Sequence, residues 1–398
     1  MGKIVAKNRY LLRQLIENID DNVFFKDREH KFIMINEANA RWFGFDDPND
    51  AVGKSDFDLF DAEFAQQAFD DEEVIMTTGK GMKRDAEKTI HNGKVVWGSV
   101  SKVPIRDEDG EICGIMGIGR DITQLKQREA ELEAAHGQMA QDLRVAASLQ
   151  KAFLPNNYPR ICGGDGLLPV QFNHYYEACD ELGGDFCSIQ QISDTKVGLL
   201  ICDVMGHGVR AALVTASIKA IEGELSRSPH SATDFLSKMN RRLFSLLQNA
   251  DTLIFATACY AILDVKSCML ELSVAGHSLP VRLHTKEGDA ELMSIPKAHR
   301  GPALGLHPDY TYQGSETQYC PGDAMVMFTD GLLEATDIAD QEFGIEHVLD
   351  AVSDCKSSNV EQIIQSIVER LRKFRGDDRL DDDICLMGFT VGEPSQSS

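Results

Sequence analysis

Acidic side chains stand beside glycines at several points where an apolar run meets a turn. The runs are LGGDF with Asp185, CDVMGHG with Asp203, FTDGLLEA with Asp330, and RLDDDICL with Asp381, Asp382 and Asp383. Taken singly, Asp203 or Asp330 could cap a following helix, because an Asp between a strand and a helix often does so. Asp203 could also form one wall of a phosphate-cradling loop.

Considered together, these carboxylates indicate a different chemistry. Carboxylates gathered at strand ends raise one another's pKa unless cations offset their charge. Hard divalent ions bound through oxygen ligands do this, and the neighbouring glycines let backbone carbonyls or waters approach such ions. Two ions can activate a water and neutralise a phosphoryl oxygen, so the pattern predicts metal-dependent hydrolysis of a phosphate ester. A nucleotide site is disfavoured, since neither GxxxxGK[ST] nor a GxGxxG after a strand occurs.

The composition narrows the class of protein. The chain has 398 residues, 43% hydrophobic and 26% charged, which predicts a folded protein of two or three domains. A net charge of −23 argues against nucleic-acid binding, because a phosphate backbone would be repelled. No apolar run could span a bilayer and no basic-plus-apolar leader is present, so we expect a cytoplasmic protein. The ten cysteines are scattered without a CxxC pair and are expected to be reduced.

The N-terminal part predicts a small α+β unit. An amphipathic helix over residues 8–19 precedes strand-like runs, of which VVWGSVSKVPIRD and EICGIMGIGRDI, joined by EDG, predict an antiparallel hairpin. The segment of about residues 18–124 resembles a PAS sensor domain. The resemblance rests on this hairpin and on the stretches NVFFKD, INEANARWFGF and VGKSDFDLF. Members of that family bind haem, flavin, small molecules or nothing, and the ligand here stays unknown. The helical middle lacks the cysteine of photoactive flavin domains, and we expect His91, in a predicted turn, to be exposed rather than a haem ligand.

A charged segment over residues 122–153 predicts a helix, which LPNNYP ends. A seven-residue repeat of mostly apolar residues runs along it. The second core position of each heptad is mostly polar, so the repeat makes only half of a coiled-coil seam. The repeat consists of Leu125, Leu132, Met139, Ala146 and Phe153. The segment is either a solvated connector or the stalk of a parallel dimer, and the sensor upstream favours the stalk.

The sequence after Pro159 predicts one large α/β domain of about 230 residues. Apolar runs predict buried strands, and SATDFLSKMNRRLFSLLQ and VEQIIQSIVERLRKF predict amphipathic helices. Seven ordered motifs resemble the PPM family of metal-dependent protein phosphatases, within it the bacterial SpoIIE-type branch. They are ELGGDF, CDVMGHGVRAAL, FATACYAILD, SVAGHSLP, GPALGL, GDAMVMFTDGLLEA and DDDICLMGF.

This resemblance implies a β-sandwich flanked by helices, of the αββα type, and a site for two Mn or Mg ions. It implies that Asp203 bridges the ions beside the backbone carbonyl of Val204, and that Asp185 contacts the second ion directly or through water. Asp330 and Asp382 would hold the ions, with Asp383 a competitor to Asp382. The catalytic set would then be Asp203, Asp330 and Asp382.

The sequence departs from the family pattern at three positions, none of them a carboxylate, so activity is expected to survive. Cys385 stands where Ser or Thr is usual, and Ser278 and Leu279 stand where Asn and Pro are common. His207 and His277 could protonate a leaving alkoxide, but both lie near glycines or turns, which favours a structural role. The SpoIIE-type branch lacks the phosphate-gripping arginine of its eukaryotic relatives, so the ions would anchor most of the substrate.

The expected architecture is an N-terminal helix (1–20), a PAS domain (21–124), a helical linker (125–158), a phosphatase domain (159–392) and a tail (393–398). The resemblance implies a PAS-controlled phosphatase that acts on phosphoserine or phosphothreonine of a partner protein, a STAS-type anti-anti-sigma protein, and the seven-residue repeat of the linker predicts a homodimer. Control would pass through the linker helix, and no nucleic acid or membrane is expected as a partner. The alternative is a catalytically silent PAS-containing scaffold, against which the complete carboxylate set counts.

Overall fold

The computed structural model describes residues 2–91, 94–161, 169–227, 230–250, 252–284, 288–355, 359–376 and 380–392. The predicted tail and the side chain of His91 lie outside these residues. The chain divides into two compact units, Met1–Gln138 and Met139–Ser398. Within the described ranges, no helix has the length and apolar character needed to cross a membrane.

The first unit is built on a five-stranded antiparallel sheet with the strand order β2-β1-β5-β4-β3. The predicted hairpin is confirmed, because β4 pairs with β5 along its length. The N-terminal helix begins earlier than predicted. The elements are α1 (Gly2–Glu17), β1 (Asn22–Asp27), β2 (Phe32–Ile35), α2 (Glu37–Phe43), α3 (Ala62–Thr78), β3 (Met82–His91), β4 (Lys94–Arg106) and β5 (Ile112–Asp121).

Local signals fix both ends of α2 and α3. The side chains of Asn36 and Asp61 accept backbone N–H bonds and cap the two N-termini. Gly44 and Gly79 end the helices with φ of 78° and 66°, a left-handed conformation that favours glycine. Phe43 at the end of α2 joins Phe24 and Phe32 of the sheet in an aromatic cluster.

A helix of 29 residues, α4 (Thr123–Lys151), follows the first unit and contains the division between the two units. The linker segment is therefore helical, as predicted. Whether it forms a coiled coil with a second chain stays a prediction.

The second unit contains two β-sheets with helices on their outer faces. One sheet has the order β13-β10-β9-β8-β7 with β14 paired to β10, and the other has the order β12-β11-β15-β16-β6. The strands are β6 (Val170–Glu177), β7 (Asp185–Gln191), β8 (Lys196–Val204), β9 (Ala256–Asp264), β10 (Met269–Ala275), β11 (Val281–His284), β12 (Asp289–Leu292), β13 (Arg300–Gly301), β14 (Gly314–Gln318), β15 (Ala324–Phe328) and β16 (Ile384–Val391). The helices are α5 (Val209–Leu225), α6 (Ala232–Leu247), α7 (Asp330–Glu334), α8 (Gly344–Asp354) and α9 (Val360–Arg375).

Three apolar cores hold these layers together. The central core lies between the sheets and joins residues such as Leu199 and Cys259 of one sheet to Met387 and Phe389 of the other. A second core packs α5 and α6 on the first sheet, and a third packs α8 and α9 on the second. The unit is thus an αββα sandwich, as the resemblance implied, and the two predicted amphipathic helices are α6 and α9.

Candidate metal centre

The first sheet brings two of the predicted carboxylates together at one end. Strands β7 and β8 are antiparallel neighbours, and their register places Asp185, the first residue of β7, opposite Asp203. Directly opposed residues in an antiparallel pair have Cβ atoms about 4.5–5.5 Å apart. The two carboxylates therefore share one corner of the sheet, and Val204 ends β8 beside them.

The second sheet supplies the remaining carboxylates at the same edge. Asp330 follows β15 after a single residue, Thr329, and Asp382 and Asp383 immediately precede β16. The two strands pair up to Phe328 opposite Leu386, so their ends meet. A Cβ at Gly331 would lie 2.1 Å from the carbonyl oxygen of Asp383, so only glycine allows this close approach.

One hydrogen bond joins the two sheets at the site. The hydroxyl of Thr329 donates to Oδ2 of Asp185 at 2.6 Å, and the backbone N–H of Thr329 donates to the carbonyl of Cys385 at 3.0 Å. Asp185 is only 3% exposed. Thr329 therefore orients a buried carboxylate from the opposite sheet, a role that the sequence analysis did not assign to it.

Asp382 and Asp383 have different surroundings although they are adjacent. Asp383 is buried, and its two oxygens accept the backbone N–H groups of Cys179 at 2.9 Å and Gly184 at 2.5 Å. Asp382 is exposed and accepts only the N–H of Asp383 among the hydrogen bonds of the described residues. Asp383 thus clamps the loop before β7, whereas the Asp382 carboxylate is accessible.

The carboxylates repel one another strongly. Burial and then the charge of Asp203 raise the pKa of Asp185 well above its usual range. Burial, followed by the charges of Asp330 and Asp382, raises the pKa of Asp203 to about 7. Burial likewise raises the pKa of Asp382. In the part of the chain that the structure describes, no Lys or Arg forms an ion pair with any of these carboxylates. The described residues therefore supply no Lys or Arg partner that would offset the charge of this cluster.

The donor set fits divalent cations. It consists of carboxylate oxygens and the backbone of Val204, which hard cations such as Mg²⁺ and Mn²⁺ prefer. Cys179 also approaches the site, because its sulfur and one oxygen each of Asp382 and Asp383 lie within 4.8 Å of one another. In the sequence, only its place six residues before Asp185 connects Cys179 with the site. Burial, with the nearby Asp383 and Asp180, raises the pKa of its thiol to about 11.

The interpretation of Asp203 or Asp330 as a helix cap is wrong. The N-cap of α5 is Gly208, with φ of 80°, and the N-cap of α7 is Thr329. Residues 204–208 separate Asp203 from its helix, and Asp330 is already the first residue of α7. Both carboxylates are therefore free of the capping hydrogen bond and available to the site.

The two histidines of the motifs have different environments. His207 is exposed, and its Nδ1 lies 2.7 Å from a carboxylate oxygen of Asp180. His277 is buried, and its Nδ1 lies 2.7 Å from the hydroxyl of Thr257, the residue opposite Asp203 on β9. Burial lowers the pKa of His277 to about 4, so this imidazole is neutral at physiological pH and cannot donate the proton of an imidazolium.

The end of α4 contacts the loop that holds the site. The side-chain amide of Gln150 donates to the carbonyl of Gly183 at 2.7 Å and accepts the N–H of Gly183 at 3.2 Å. Gln150 is buried, unlike most of α4. Gly183 stands next to Gly184, whose N–H binds Asp383. A short hydrogen-bonded path therefore connects the linker helix to the carboxylate cluster.

Comparisons with known proteins agree with this arrangement. The family described as Stage II sporulation protein E (SpoIIE) matches residues 193–392, half of the chain, and the PAS fold matches residues 16–127. Phosphoserine phosphatase RsbP of Bacillus subtilis (strain 168) is 26% identical over 219 residues, 55% of this chain and 51% of that protein. Phosphoserine phosphatase RsbU of the same organism is 23% identical over 265 residues, 66% of this chain and 73% of that protein. The chain thus spans about half the length of RsbP.

A solved structure extends the comparison to the fold. The SiaA-PP2C domain of Pseudomonas aeruginosa superposes with a TM-score of 0.54 at 21% identity, covering 65% of this chain and 99% of that one. At this identity the likeness concerns the fold alone. Since the family match covers half of its length and a PAS fold precedes it, the chain belongs to the Stage II sporulation protein E (SpoIIE) family.

Proposed function

We propose that the chain is a metal-dependent serine/threonine protein phosphatase regulated by its PAS domain. The observation that carries this proposal is the cluster of carboxylates from both sheets whose charge no Lys or Arg of the described residues offsets. Such a cluster needs divalent cations. Two relatives that are named phosphoserine phosphatases support the same activity.

The ligands that we propose are Asp185, Asp203, the carbonyl of Val204, Asp330 and Asp382. When bound, two Mn or Mg ions would supply an activated water and would neutralise charge on the phosphoryl group. Thr329 would keep Asp185 in place through its hydroxyl. Asp383 is better suited to hold the loop before β7 than to bind an ion, because both of its oxygens already accept backbone N–H groups.

The substrate that we propose is a phosphoserine or phosphothreonine on a partner protein of the STAS anti-anti-sigma type, acted on in the cytoplasm. This proposal is supported by family membership and by the phosphoserine phosphatase activity for which RsbP and RsbU are named. The site lies at an edge of the sandwich, with Asp382 and His207 exposed, so a side chain projecting from another protein can reach it.

Control by the PAS domain is proposed to act through α4. The helix is continuous across the division between the units, and Gln150 near its end holds Gly183. A shift or rotation of α4 would move Gly183 and with it the loop that Asp383 clamps. Two packings of this helix would then differ in how well Asp185 and Asp203 are placed for metal binding, which is a population shift.

Replacing Asp203 by Asn tests the carboxylate cluster by activity and by stability. Because the pKa of Asp203 is raised to about 7 in the folded state, the metal-free protein loses stability as the pH rises from about 4 towards 7. Asp203→Asn should therefore abolish Mn-dependent hydrolysis of an aryl phosphate and a phosphoserine peptide, yet raise the melting temperature of the metal-free protein at pH 8. The gain should be roughly 2–4 °C per kcal/mol of repulsion removed.

The matched control is Asp180→Asn, which removes an exposed carboxylate near the site. It should leave the metal-free melting temperature near that of the wild type. Full turnover by Asp203→Asn at saturating Mn²⁺ would exclude the proposed ligand role. A wild-type protein that binds Mn²⁺ but hydrolyses neither substrate would instead support the silent scaffold.

The adjacent pair Asp382 and Asp383 should respond differently to the same substitution. Asp382→Asn should weaken Mn²⁺ binding and activity without lowering the metal-free melting temperature, because it removes an exposed charge. Asp383→Asn should lower the metal-free melting temperature, because the amide keeps only one acceptor oxygen and places an NH2 donor against the other of the N–H groups of Cys179 and Gly184. Calorimetric Mn²⁺ titration and thermal unfolding measure the two effects, and the reverse pattern would make Asp383 the ligand.

The hydrogen bonds of Gln150 provide a test of coupling. Gln150→Leu keeps the helix propensity but removes both bonds to Gly183, so Mn²⁺ affinity should fall roughly tenfold. Gln141→Leu is the control, because Gln141 is exposed on the same helix. Equal affinities in the two variants would reduce α4 to a passive tether.

A dimer stalk is also proposed, because apolar heptad residues of α4 are exposed within the chain. Leu125, Leu132 and Met139 are 55%, 70% and 61% exposed, and pairing with a second copy would bury them. Light scattering at micromolar concentration should give twice the chain mass of 44.1 kDa. Leu132→Glu should shift the protein towards monomer, and a monomeric wild type would contradict the stalk.

A further inference from the structure

The first unit contains a cavity of about 110 Å³ between its sheet and its short helices. Aromatic side chains form much of its wall, among them Phe24, Trp42, Phe43, Phe60 and Phe64. An apolar cavity of about 150 Å³ in another protein is known to take up benzene. The space is therefore suited to one ring and is too small for haem or flavin.

A network of buried charges borders this cavity. Lys26, which is 1% exposed, forms ion pairs with Asp56 and with Glu72, the latter at 2.8 Å. Lys102 lies 2.9 Å from Glu72 and donates to the carbonyl of Ala68 at 3.2 Å. Two ammonium groups and two carboxylates thus balance, which is the condition under which buried charges are tolerated.

Two members of the network line the cavity as well, Asp56 and Lys102. Asp56 binds Lys26 through Oδ2, and its Oδ1 has no hydrogen bond among the described residues. An ammonium has three donors, and the bonds of Lys102 to Ala68 and Glu72 use two of them. Asp56 and Lys102 therefore present one free acceptor and one free donor to a ligand in the cavity.

Arg84, another charged group of the wall, is already paired. Arg84 makes two bonds to Asp71, at 2.7 and 2.6 Å, and lies 3.0 Å from Glu87. No histidine lines the cavity among the residues that the structure covers, and the two ring nitrogens of His30 lie 2.9 Å from Glu72 and Glu73. Because the wall has no excess of basic over acidic groups, it favours a neutral ligand over an anion.

We propose that this cavity binds a neutral single-ring aromatic or heteroaromatic molecule whose polar group both donates to Asp56 and accepts from Lys102. A ring hydroxyl satisfies both residues, as does an adjacent N–H and carbonyl pair. The aromatic walls would provide the contact area, and the two polar residues would set the orientation of the ring. The proposal concerns the first unit alone and does not depend on the phosphatase activity.

The test measures binding of small probes to the full-length chain by calorimetry and thermal shift. The probes are 2-hydroxypyridine and phenol, with toluene as the match without a polar group, benzoate as the anion, and flavin mononucleotide and haemin as large cofactors. Affinity for 2-hydroxypyridine should exceed affinity for toluene at least tenfold, because each of the two hydrogen bonds involves a charged group of the protein. Benzoate should bind more weakly than phenol, and neither large cofactor should bind stoichiometrically.

Ala68→Leu locates the binding, because Ala68 is a buried residue of the cavity wall. This variant should lose the response to 2-hydroxypyridine, while Val74→Leu, at an exposed position of the same helix, should keep it. If Ala68→Leu does not fold, Val100→Ile replaces it, since Val100 also lines the cavity. Three results would each overturn the proposal. They are equal binding of 2-hydroxypyridine to the wild type and to the cavity-filling variant, no binding at millimolar concentrations of the probe, and equal affinities for 2-hydroxypyridine and toluene.

Discussion

The repulsion between carboxylates at one edge of the sandwich is the constraint on which the second unit depends. The register of β7 and β8 forces Asp185 and Asp203 together, and the pairing of β15 with β16 brings Asp330 and Asp382 to the same place. The apolar cores on both sides of each sheet provide the stability that offsets this repulsion. In the proposed function, this unfavourable charge is the feature that would make the site bind divalent cations.

The two units handle buried acidic groups in opposite ways. In the first unit, Lys26 and Lys102 pair with Asp56 and Glu72, so the charges balance within the chain. In the second unit, no basic side chain of the described residues pairs with the cluster around Asp203, so the counter-charge has to come from outside. A balanced network suits a neutral ligand, and an unbalanced one suits a metal ion.

The sequence predicted those parts of the site that depend on local patterns. An apolar run followed by Asp and Gly identified Asp203 and Asp330 as strand-end carboxylates, and the hairpins and amphipathic helices followed from their periodicity. The hydrogen bonds of Thr329 to Asp185, and of Asp383 to Gly184, join residues 144 and 199 positions apart and leave no local pattern. The capping interpretation failed for two local reasons: residues 204–208 separate Asp203 from α5, and α7 begins at Asp330 itself, so Thr329 takes the N-cap position.

Proton release on metal binding tests the central claim most directly. Because the pKa values of Asp185 and Asp203 are raised, the metal-free site holds protons near neutral pH that a cation must displace. Calorimetric titration with Mn²⁺ at pH 7, in buffers of different ionisation enthalpy, should show release of about one proton per chain, decreasing as the pH is raised. Binding heats that are the same in every buffer, or no Mn²⁺ binding, would contradict the claim that a divalent cation binds these carboxylates and displaces their protons.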